Sequence, residues 1–298
     1  MTPLFALFVA CTAAASPDLP TSQVPNGFWD HWGDGQAELA GYSLSQPRYG
    51  SPRDGTVVLV FVTETFTEGQ RVKSDGGHPD EYPVLKLNEV RDFTTGIYDY
   101  NVMTSTFVRL DGALPMGHPT KVSMSMQEWC GHVYDQTLVV DDGLRHEGHS
   151  YFDGEADHRS VLPLPSDGVQ ADAFPILVRG LAGALVGPGE ERSIQVLPSL
   201  MQSRLTHRSP SWGPATVRRS AGSASLTVPA GTFEAHTVTV EHAGGGTTTW
   251  WVESALPHRL LRWERSDGEV GALRGSMRQA YWRQNGPGGE ALRAKLGL

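Results

Sequence analysis

The sequence predicts a mainly β protein, built as a large curved antiparallel sheet or open barrel with one or two short helices. The 298 residues include 34 glycines and 20 prolines, a composition that favours many turns and short strands. Strand-like segments follow one another through most of the chain, and few helical patterns interrupt them. No repeat of roughly 20 to 50 residues is present, which disfavours a propeller or solenoid. A sheet this large must curl or close to cover its edges.

Residues 1–15 predict an export signal, because the opening stretch MTPLFALFVACTAAASP is apolar and rich in small residues. The letters FVA before Cys11 resemble a lipobox, so lipidation at Cys11 is one alternative. Cleavage at the following AAA run, as in ordinary secretion, is the other. No lysine or arginine precedes Arg48, which leaves an apolar N-terminus on a cytoplasmic protein as a third reading. We expect a cell-envelope location, periplasmic or anchored to the outer membrane.

Residues 16–27 (SPDLPTSQVPNG) predict a Pro/Ser-rich tether, and residues 28–298 predict one β-rich domain. The motif FWDHW at the start of this domain predicts an aromatic plug. The segment QAELAGYSLSQPRYG predicts a first strand that ends at Pro47. The next segment, TVVLVFVTETF, is β-branched and apolar on both faces, which is typical of a central strand.

Residues 86–110 and 120–134 predict two long strands that face each other across the turn DGALPMGHP. The segment YDQTLVVDDGLRHEGHSYFDG predicts a hairpin with Asp142-Gly143 in its turn. The strand-like pattern stops at residues 163–190, which predicts an internal seam there. The same residues predict a short apolar helix at about 173–185, although Pro175 and Gly183 disfavour a helix. The last third is again β-like, and the tail GGEALRAKLGL predicts a final helix.

The densest polar set in the chain lies on the two central strands, among residues otherwise suited to a core. Buried polar groups cost a few kcal/mol each unless they are paired. We therefore expect either a mutual network, such as Arg91 with Asp92 or Asp99, or side chains that line a ligand cavity. The candidate ligand-lining residues are Lys86, Asn88, Arg91, Asp99, Tyr100, Asn101, Glu128, His132 and Tyr134.

Glu128, Cys130, His132 and Tyr134 recur at every second residue, which predicts that they share one face of a strand. A thiol beside an imidazole, with a carboxylate to orient the base, is the minimum for a nucleophilic cysteine. Side chains two residues apart on a strand lie about 6–7 Å apart, too far for a direct hydrogen bond. A packed Cys130 beside a hydrogen-bonded His132 is therefore the competing interpretation. With Cys11 removed or acylated, Cys130 has no disulfide partner within the chain.

The run from Arg145 to His158 is rich in groups that bind metal ions. The candidate metal ligands are His146, His149, Asp153 and His158. On a strand His146 and His149 would face opposite sides, and the spacing is one residue short of the zinc motif HExxH. A solvated, hydrogen-bonded hairpin end is the competing interpretation.

Composition and motifs exclude several classes of function. The net charge of −9 and the lack of a basic run argue against nucleic-acid binding. No apolar stretch reaches the roughly 18 residues of a membrane span, so membrane contact is expected only through an N-terminal lipid anchor. No nucleotide, hydrolase or zinc-ribbon motif occurs, and we expect no cofactor. The Gly244–Gly246 run reads as a flexible hairpin turn, and the sequence does not indicate an oligomeric state.

The segment from Ser225 to Gly268 contains a Val-Pro-Ala-Gly-Thr-Phe turn, two strands, and the letters PHRLLRW. With the motifs QPRYG, LKLNEVRDFTTGIYDYN and QEWCGHVY, it resembles a group of uncharacterised bacterial envelope proteins. Those proteins have a curved antiparallel sheet and are distantly similar to the LolA and LolB lipoprotein carriers. The resemblance implies an architecture and an envelope location, and it supplies no catalytic residue.

Three functional hypotheses follow from these observations. The first is a non-enzymatic, exported or lipid-anchored protein that binds a hydrophobic or lipid-like ligand, or an envelope protein, on a concave sheet face. The second is a hydrolase-type enzyme that uses Cys130 and His132, or a metal at the His146 to His158 cluster. The third is a structural or interaction protein with a flat exposed patch and no small ligand.

Overall fold

The computed structural model describes residues 17–298, in which one hydrogen-bonded sheet of 16 strands dominates. Cys11 and the export signal lie outside the described residues. The strands are β1 (Ala37–Arg48), β2 (Ser51–Thr67), β3 (Glu81–Thr95), β4 (Tyr98–Arg109), β5 (Lys121–Glu128), β6 (Gly131–Val140), β7 (Gly143–Ser150), β8 (His158–Leu162), β9 (Gly168–Gln170), β10 (Glu191–Leu197), β11 (Gly213–Arg219), β12 (Ala224–Val228), β13 (Gly231–His242), β14 (Thr247–Glu253), β15 (Leu260–Arg265) and β16 (Val270–Gln279). The helices are α1 (Phe28–Trp32), α2 (Phe174–Leu177) and α3 (Leu200–Thr206), with 3₁₀ turns at Ala171–Ala173, Tyr281–Arg283 and Gly289–Leu296.

The sheet consists of two meanders, which join where β1 pairs with β16. Strands β1 to β8 lie side by side in chain order, and β16 back to β13 continue the sheet from the other side of β1. Neighbouring strands are antiparallel, except that β9 pairs in parallel with β10, and β12 branches off β13. The mainly β class and the large antiparallel sheet predicted from the sequence are confirmed.

The sheet curls around its own connecting segment. One face of β1–β5, β10, β11 and β13–β16 carries the main hydrophobic core, which also contains nine side chains of residues 171–186. We call residues 171–186 the inner segment, because they fill the middle of the hollow side. At the open edges Leu197 of β10 packs with Val139 and Leu144 of β6 and β7, so the two ends of the sheet approach each other. The result is an open, barrel-like sheet with a partly filled interior.

The convex face carries smaller clusters. Leu296 of the C-terminal tail packs on Leu39 of β1 and Val60 of β2. A second cluster joins Phe66 and Phe107 with neighbouring side chains of β3. Burial of these patches explains why β2 is apolar on both faces.

Three predicted elements differ from the observed ones. The long strand expected over 86–110 is two strands, because Gly96 adopts a positive φ and turns the chain between β3 and β4. The strand expected over 120–134 is also two, since Trp129 and Cys130 form a turn between β5 and β6. The helix expected over 173–185 is only four residues long, as α2 ends before Gly180, and the tail is a 3₁₀ helix.

The hairpin expected at Asp142-Gly143 is confirmed, since β6 and β7 close around it. In the aromatic plug Phe28 and Trp32 are buried, whereas Trp29 is exposed. Among residues 17–298, no helix combines the length and the apolar character that a membrane span needs.

Candidate functional site

The inner segment divides the hollow of the sheet into two cavities. The first, of about 620 Å³, opens between α3, the β13–β14 turn and the β15–β16 turn. The second, of about 780 Å³, lies between α1, the loop after α2 and the β14–β15 loop. Phe174 at the start of α2 lines the first cavity, and Leu177 at its end lines the second. Both volumes fall in the range of small-molecule sites, roughly 300–1,000 Å³.

Apolar side chains from both halves of the sheet form the walls of the first cavity. Leu59 and Leu87 come from β2 and β3, and Trp250 and Trp263 come from β14 and β15. The indole ring of Trp250 lies 5.0 Å from the ring of Phe174, which fixes the inner segment against the sheet. Large aromatic surfaces of this kind contribute most of the contact area in binding sites.

A buried ionic cluster forms part of the wall of the first cavity. Arg91 lies 2.6 Å from Glu89 Oε1 and 3.0 Å from Glu269 Oε1, and it donates to Gln46 Oε1 at 2.6 Å. Trp263 Nε1 donates to the same Glu269 oxygen at 2.8 Å. Burial lowers the pKa of Arg91, but Glu269 and Glu89 outweigh burial, and the net shift is upward. Arg91 therefore stays protonated, and the polar atoms of the cluster bond one another.

Asp172 differs from the other carboxylates that line the first cavity. Glu89 and Glu269 pair with Arg91, and Asp267 pairs with Arg265. Asp172 receives one backbone hydrogen bond, from Leu200 N at 3.3 Å, and has no basic partner among the residues that the structure describes. Burial, with a smaller contribution from Glu89, raises the pKa of Asp172 to about 7. Asp172 can thus accept or donate a proton to a ligand at neutral pH.

The second cavity has a different character. Arg179 and Arg219 both line it, and Arg179 pairs with Glu38 of β1 at 2.8 Å and stacks over the ring of Phe61 at 4.4 Å. His236 of β13 lies in its wall, and burial, with the charge of Arg219, lowers the pKa of His236 to about 4. At neutral pH the cavity therefore presents an uncharged imidazole among largely apolar side chains.

The structure separates the predicted ligand-lining residues onto both faces of the sheet. Arg91 alone of the nine lines the first cavity. Tyr100 also faces inward, where it stacks on Phe93 at 4.7 Å and contacts the Tyr49 hydroxyl at 2.9 Å. Glu128 lies on the inward side at the end of β5. The remaining six face outward: Lys86, Asn88, Asp99, Asn101, His132 and Tyr134.

The outward-facing polar residues pair with one another. Lys86 bonds Glu64 at 2.8 Å, and Asn88 accepts a hydrogen bond from Ser105 at 2.7 Å. Asp99 accepts from Thr94 at 2.7 Å, so neither Arg91–Asp92 nor Arg91–Asp99 forms the expected network. The expectation that this stretch lines the hollow side as a unit is wrong, because alternation along β3 and β4 sends neighbours to opposite faces.

The predicted cysteine site is not assembled. The turn at Trp129-Cys130 shifts the alternation, so Glu128 points to the hollow side and His132 to the convex side. Cys130 is exposed, and its backbone N–H donates to Glu128 Oε2 at 2.8 Å. Hydrogen bonding to Glu128 and the charge of that carboxylate raise the pKa of the Cys130 thiol. A nucleophilic cysteine needs the opposite shift.

Two of the four predicted metal ligands come together on the hollow side. His146 and His158 approach each other on β7 and β8, with 3.4 Å between their Nε2 atoms. His149 faces the convex side, where it bonds Asp157 at 2.8 Å. Asp153 lies in the turn before β8 and is exposed. The third member of the group is Asp135 of β6.

Sequence reasoning missed Asp172, Glu89, Glu269 and Asp135. A charged residue on the apolar face of a strand was the available signal for Asp135, which shares its face with Val133 and Val139. Glu89 lies two residues before Arg91 and so on the same face of β3. Asp172 and Glu269 meet Arg91 only through long-range folding, for which no local pattern exists.

No family model matches the chain, and no curated protein does. Among solved structures, the chain is similar to a beta-barrel-like protein of a domain of unknown function, DUF1849, from Brucella abortus. The two share 11% sequence identity with a TM-score of 0.48, and the alignment covers 81% of this chain and 97% of the other. Nothing about function follows from this likeness.

Proposed function

We propose that this protein binds a small amphipathic molecule in the first cavity, as a non-enzymatic protein of the bacterial cell envelope. The observation that carries the proposal is a cavity of about 620 Å³ with largely apolar walls and one carboxylate, Asp172, that pairs with no cationic side chain in the described part of the chain. Clefts of this size with a few convergent polar groups are the usual form of small-molecule sites. The export signal expected in residues 1–15 supports the envelope location.

The chemistry of the walls defines the ligand. Trp250, Trp263 and Phe174 offer flat apolar contact, which suits an acyl chain or a ring system. Asp172 offers an acceptor when ionised and a donor when protonated. The ligand that fits both has an apolar body and a hydroxyl or amine group, so it is a lipid-like molecule of small size.

The enzyme alternative receives less support. Cys130 and His132 lie on a turn and on the convex face, respectively, away from both cavities. The raised pKa of the Cys130 thiol opposes thiolate chemistry at neutral pH. The ligand-binding proposal, in contrast, uses a cavity that the fold builds from eight strands.

A fluorescent probe tests the proposal. N-phenyl-1-naphthylamine is uncharged and amphipathic, and its emission rises in an apolar site. We expect saturable binding of one probe per chain. Thr104, on the inner face of β4, lines the cavity, and Thr104→Phe should fill part of it and weaken binding at least tenfold, about 1.4 kcal/mol.

Met103 provides the matched control, because it lies next to Thr104 and 43% of it is exposed on the convex face. Met103→Phe should bind the probe as the parent protein does. Non-saturable binding, or equal affinity in the two variants, would overturn the proposal. Native mass spectrometry of protein purified from its own source would then show whether any small molecule accompanies it.

A further inference from the structure

Three side chains from adjacent strands converge on the hollow side at the edge of the sheet. They are Asp135 of β6, His146 of β7 and His158 of β8. Asp135 Oδ1 lies 2.7 Å from His146 Nε2 and 3.8 Å from His158 Nε2, and the two imidazole nitrogens are 3.4 Å apart. We propose that these three residues bind a divalent transition-metal ion. This inference is independent of ligand binding in the first cavity.

The spacing of the three atoms suits coordination. With these separations, a point about 2.1 Å from all three atoms exists, less than about 1 Å from their plane, and zinc–nitrogen and zinc–oxygen bonds have this length. Two imidazoles and one carboxylate are a ligand set that favours zinc, iron, nickel or copper over calcium and magnesium. Three protein ligands leave at least one position for water or another molecule.

The surroundings orient the ligands. His158 Nδ1 lies 3.3 Å from the Ala156 carbonyl oxygen, which can only accept a hydrogen bond. The proton of a neutral His158 is therefore assigned to Nδ1, and its Nε2 lone pair points at the cluster. Asp135 Oδ1 also accepts from Gln136 N at 3.1 Å. Asp135 and His146 are buried, and His158 is exposed, so an ion could enter from the His158 side.

Gly148 is a second, independent observation. This glycine pairs with Asp135 on one side and with His158 on the other. A Cβ atom at position 148 would lie 2.3 Å from His158 Cε1, 2.8 Å from His158 Nε2 and 3.0 Å from Asp135 Oδ1. A glycine within a strand weakens it and marks a place where another group approaches closely. Here the missing side chain leaves the space that the His158 ring and the Asp135 carboxylate occupy as they approach each other.

Zinc titration of the full chain tests the site. Competition against a chromophoric zinc chelator should show one Zn²⁺ per chain for the parent protein. His158→Ala removes a ligand atom and Asp135→Asn removes the negative charge of the carboxylate ligand. We expect at least a tenfold loss of affinity for each, since even outer-shell changes at metal sites cost about 10- to 100-fold. Gly148→Ala retains all three ligands but occupies the space, and it should weaken zinc to a similar extent.

Two control variants make the outcome specific. His149→Ala removes the exposed histidine on the opposite face of β7 and should leave the zinc affinity unchanged. Cys130→Ser removes the exposed thiol of the described residues and should do the same. Circular dichroism checks that each variant is folded, and His158, on the edge strand β8, is the ligand least needed for packing.

Zinc bound with unchanged affinity by His158→Ala and Gly148→Ala would overturn the proposal, as would the lack of a stoichiometric site in the parent protein. Substitution with Co²⁺ gives a second readout. Visible absorption bands of a nitrogen- and oxygen-coordinated ion are expected in the parent protein and in His149→Ala, and their loss is expected in His158→Ala.

Discussion

The two cavities share one fold but differ in how their charges are arranged. In the first cavity Arg91 pairs with both Glu89 and Glu269, and Asp172 has no basic partner among residues 17–298. In the second cavity Arg179 pairs with Glu38, and an uncharged His236 lies near Arg219. The same curved sheet therefore presents a carboxylate at one end of its hollow and basic side chains at the other. Three experiments test this difference.

The largest effect is expected from removing the buried arginines. Arg91→Met leaves the buried Glu269 and the half-buried Glu89 without their arginine, and Arg179→Met leaves the buried Glu38. An uncompensated buried charge costs about 3–5 kcal/mol, so both variants should lose free energy of unfolding in urea, and Arg91→Met should lose more.

A triple variant separates charge from packing at the first cavity. Arg91→Met combined with Glu89→Gln and Glu269→Gln removes the unpaired charges and should regain most of the lost stability. The exposed Arg218, which bonds Glu191 and Glu241, is the surface control, and Arg218→Met should cause no measurable loss. Equal losses for Arg91 and Arg218 would show that the cluster is not buried in solution.

The second-largest effect is a pH dependence of the free energy of unfolding, caused by Asp172 at the first cavity. The pKa of Asp172 rises from 3.8 to about 7 on folding. Below pH 3.8 Asp172 is protonated in both the folded and the unfolded state, so its ionisation does not lower the free energy of unfolding. As the pH rises to 7 the unfolded state loses its proton first, and the folded state loses stability relative to it. The loss is complete above pH 7 and amounts to as much as about 4 kcal/mol.

Asp172→Asn should remove this response. Its free energy of unfolding, measured in urea from pH 4 to 8, should match the parent protein at pH 4 and exceed it at pH 8. A constant difference across that range would mean that Asp172 titrates normally in the folded protein.

The smallest effect is a pH dependence of the free energy of unfolding that has the opposite direction, caused by His236 at the second cavity. Burial and Arg219 lower the pKa of His236 from 6.5 to about 4. Above pH 6.5 the imidazole is neutral in both states. As the pH falls to 4 the unfolded state takes up a proton that the folded state does not, so folding loses about 1–3 kcal/mol.

His236→Phe should therefore lose less stability between pH 6.5 and pH 4 than the parent protein, while Asp172→Asn retains that acid sensitivity. Thermal melts at pH 7.0, 5.5 and 4.0 measure both. The predicted difference between the two cavities would be wrong if the melting temperatures of the two variants changed with pH in the same direction.

The sequence predicted the class of fold because that class depends on local patterns. Glycine and proline turns, alternation and the β-branched run of β2 are readable without tertiary information. The face that each side chain occupies was not readable in the same way. The two central residues of the turn, Trp129 and Cys130, are neither glycine nor proline, and the Gly131 that closes it was interpreted as part of one continuous strand. That interpretation placed Glu128 and His132 on one face, although they lie on opposite faces.

The candidate sites were predicted only where their residues are local. Arg91 was expected in a network or a cavity, and it has both roles. His146 and His158 were expected as metal ligands and do converge, but Asp135 joins them through pairing of β6 with β7. Asp172 lies in the inner segment, and its position opposite β3 depends on how the whole sheet curls.

Hydrogen exchange measured by mass spectrometry tests the ligand-binding account most directly, with N-phenyl-1-naphthylamine as the bound molecule. The account predicts slower amide exchange in residues 198–214 and 242–250, which border the first cavity, and unchanged exchange in residues 177–186 of the second. Protection confined to residues 177–186 and 23–32, or no protection at saturating probe, would contradict it.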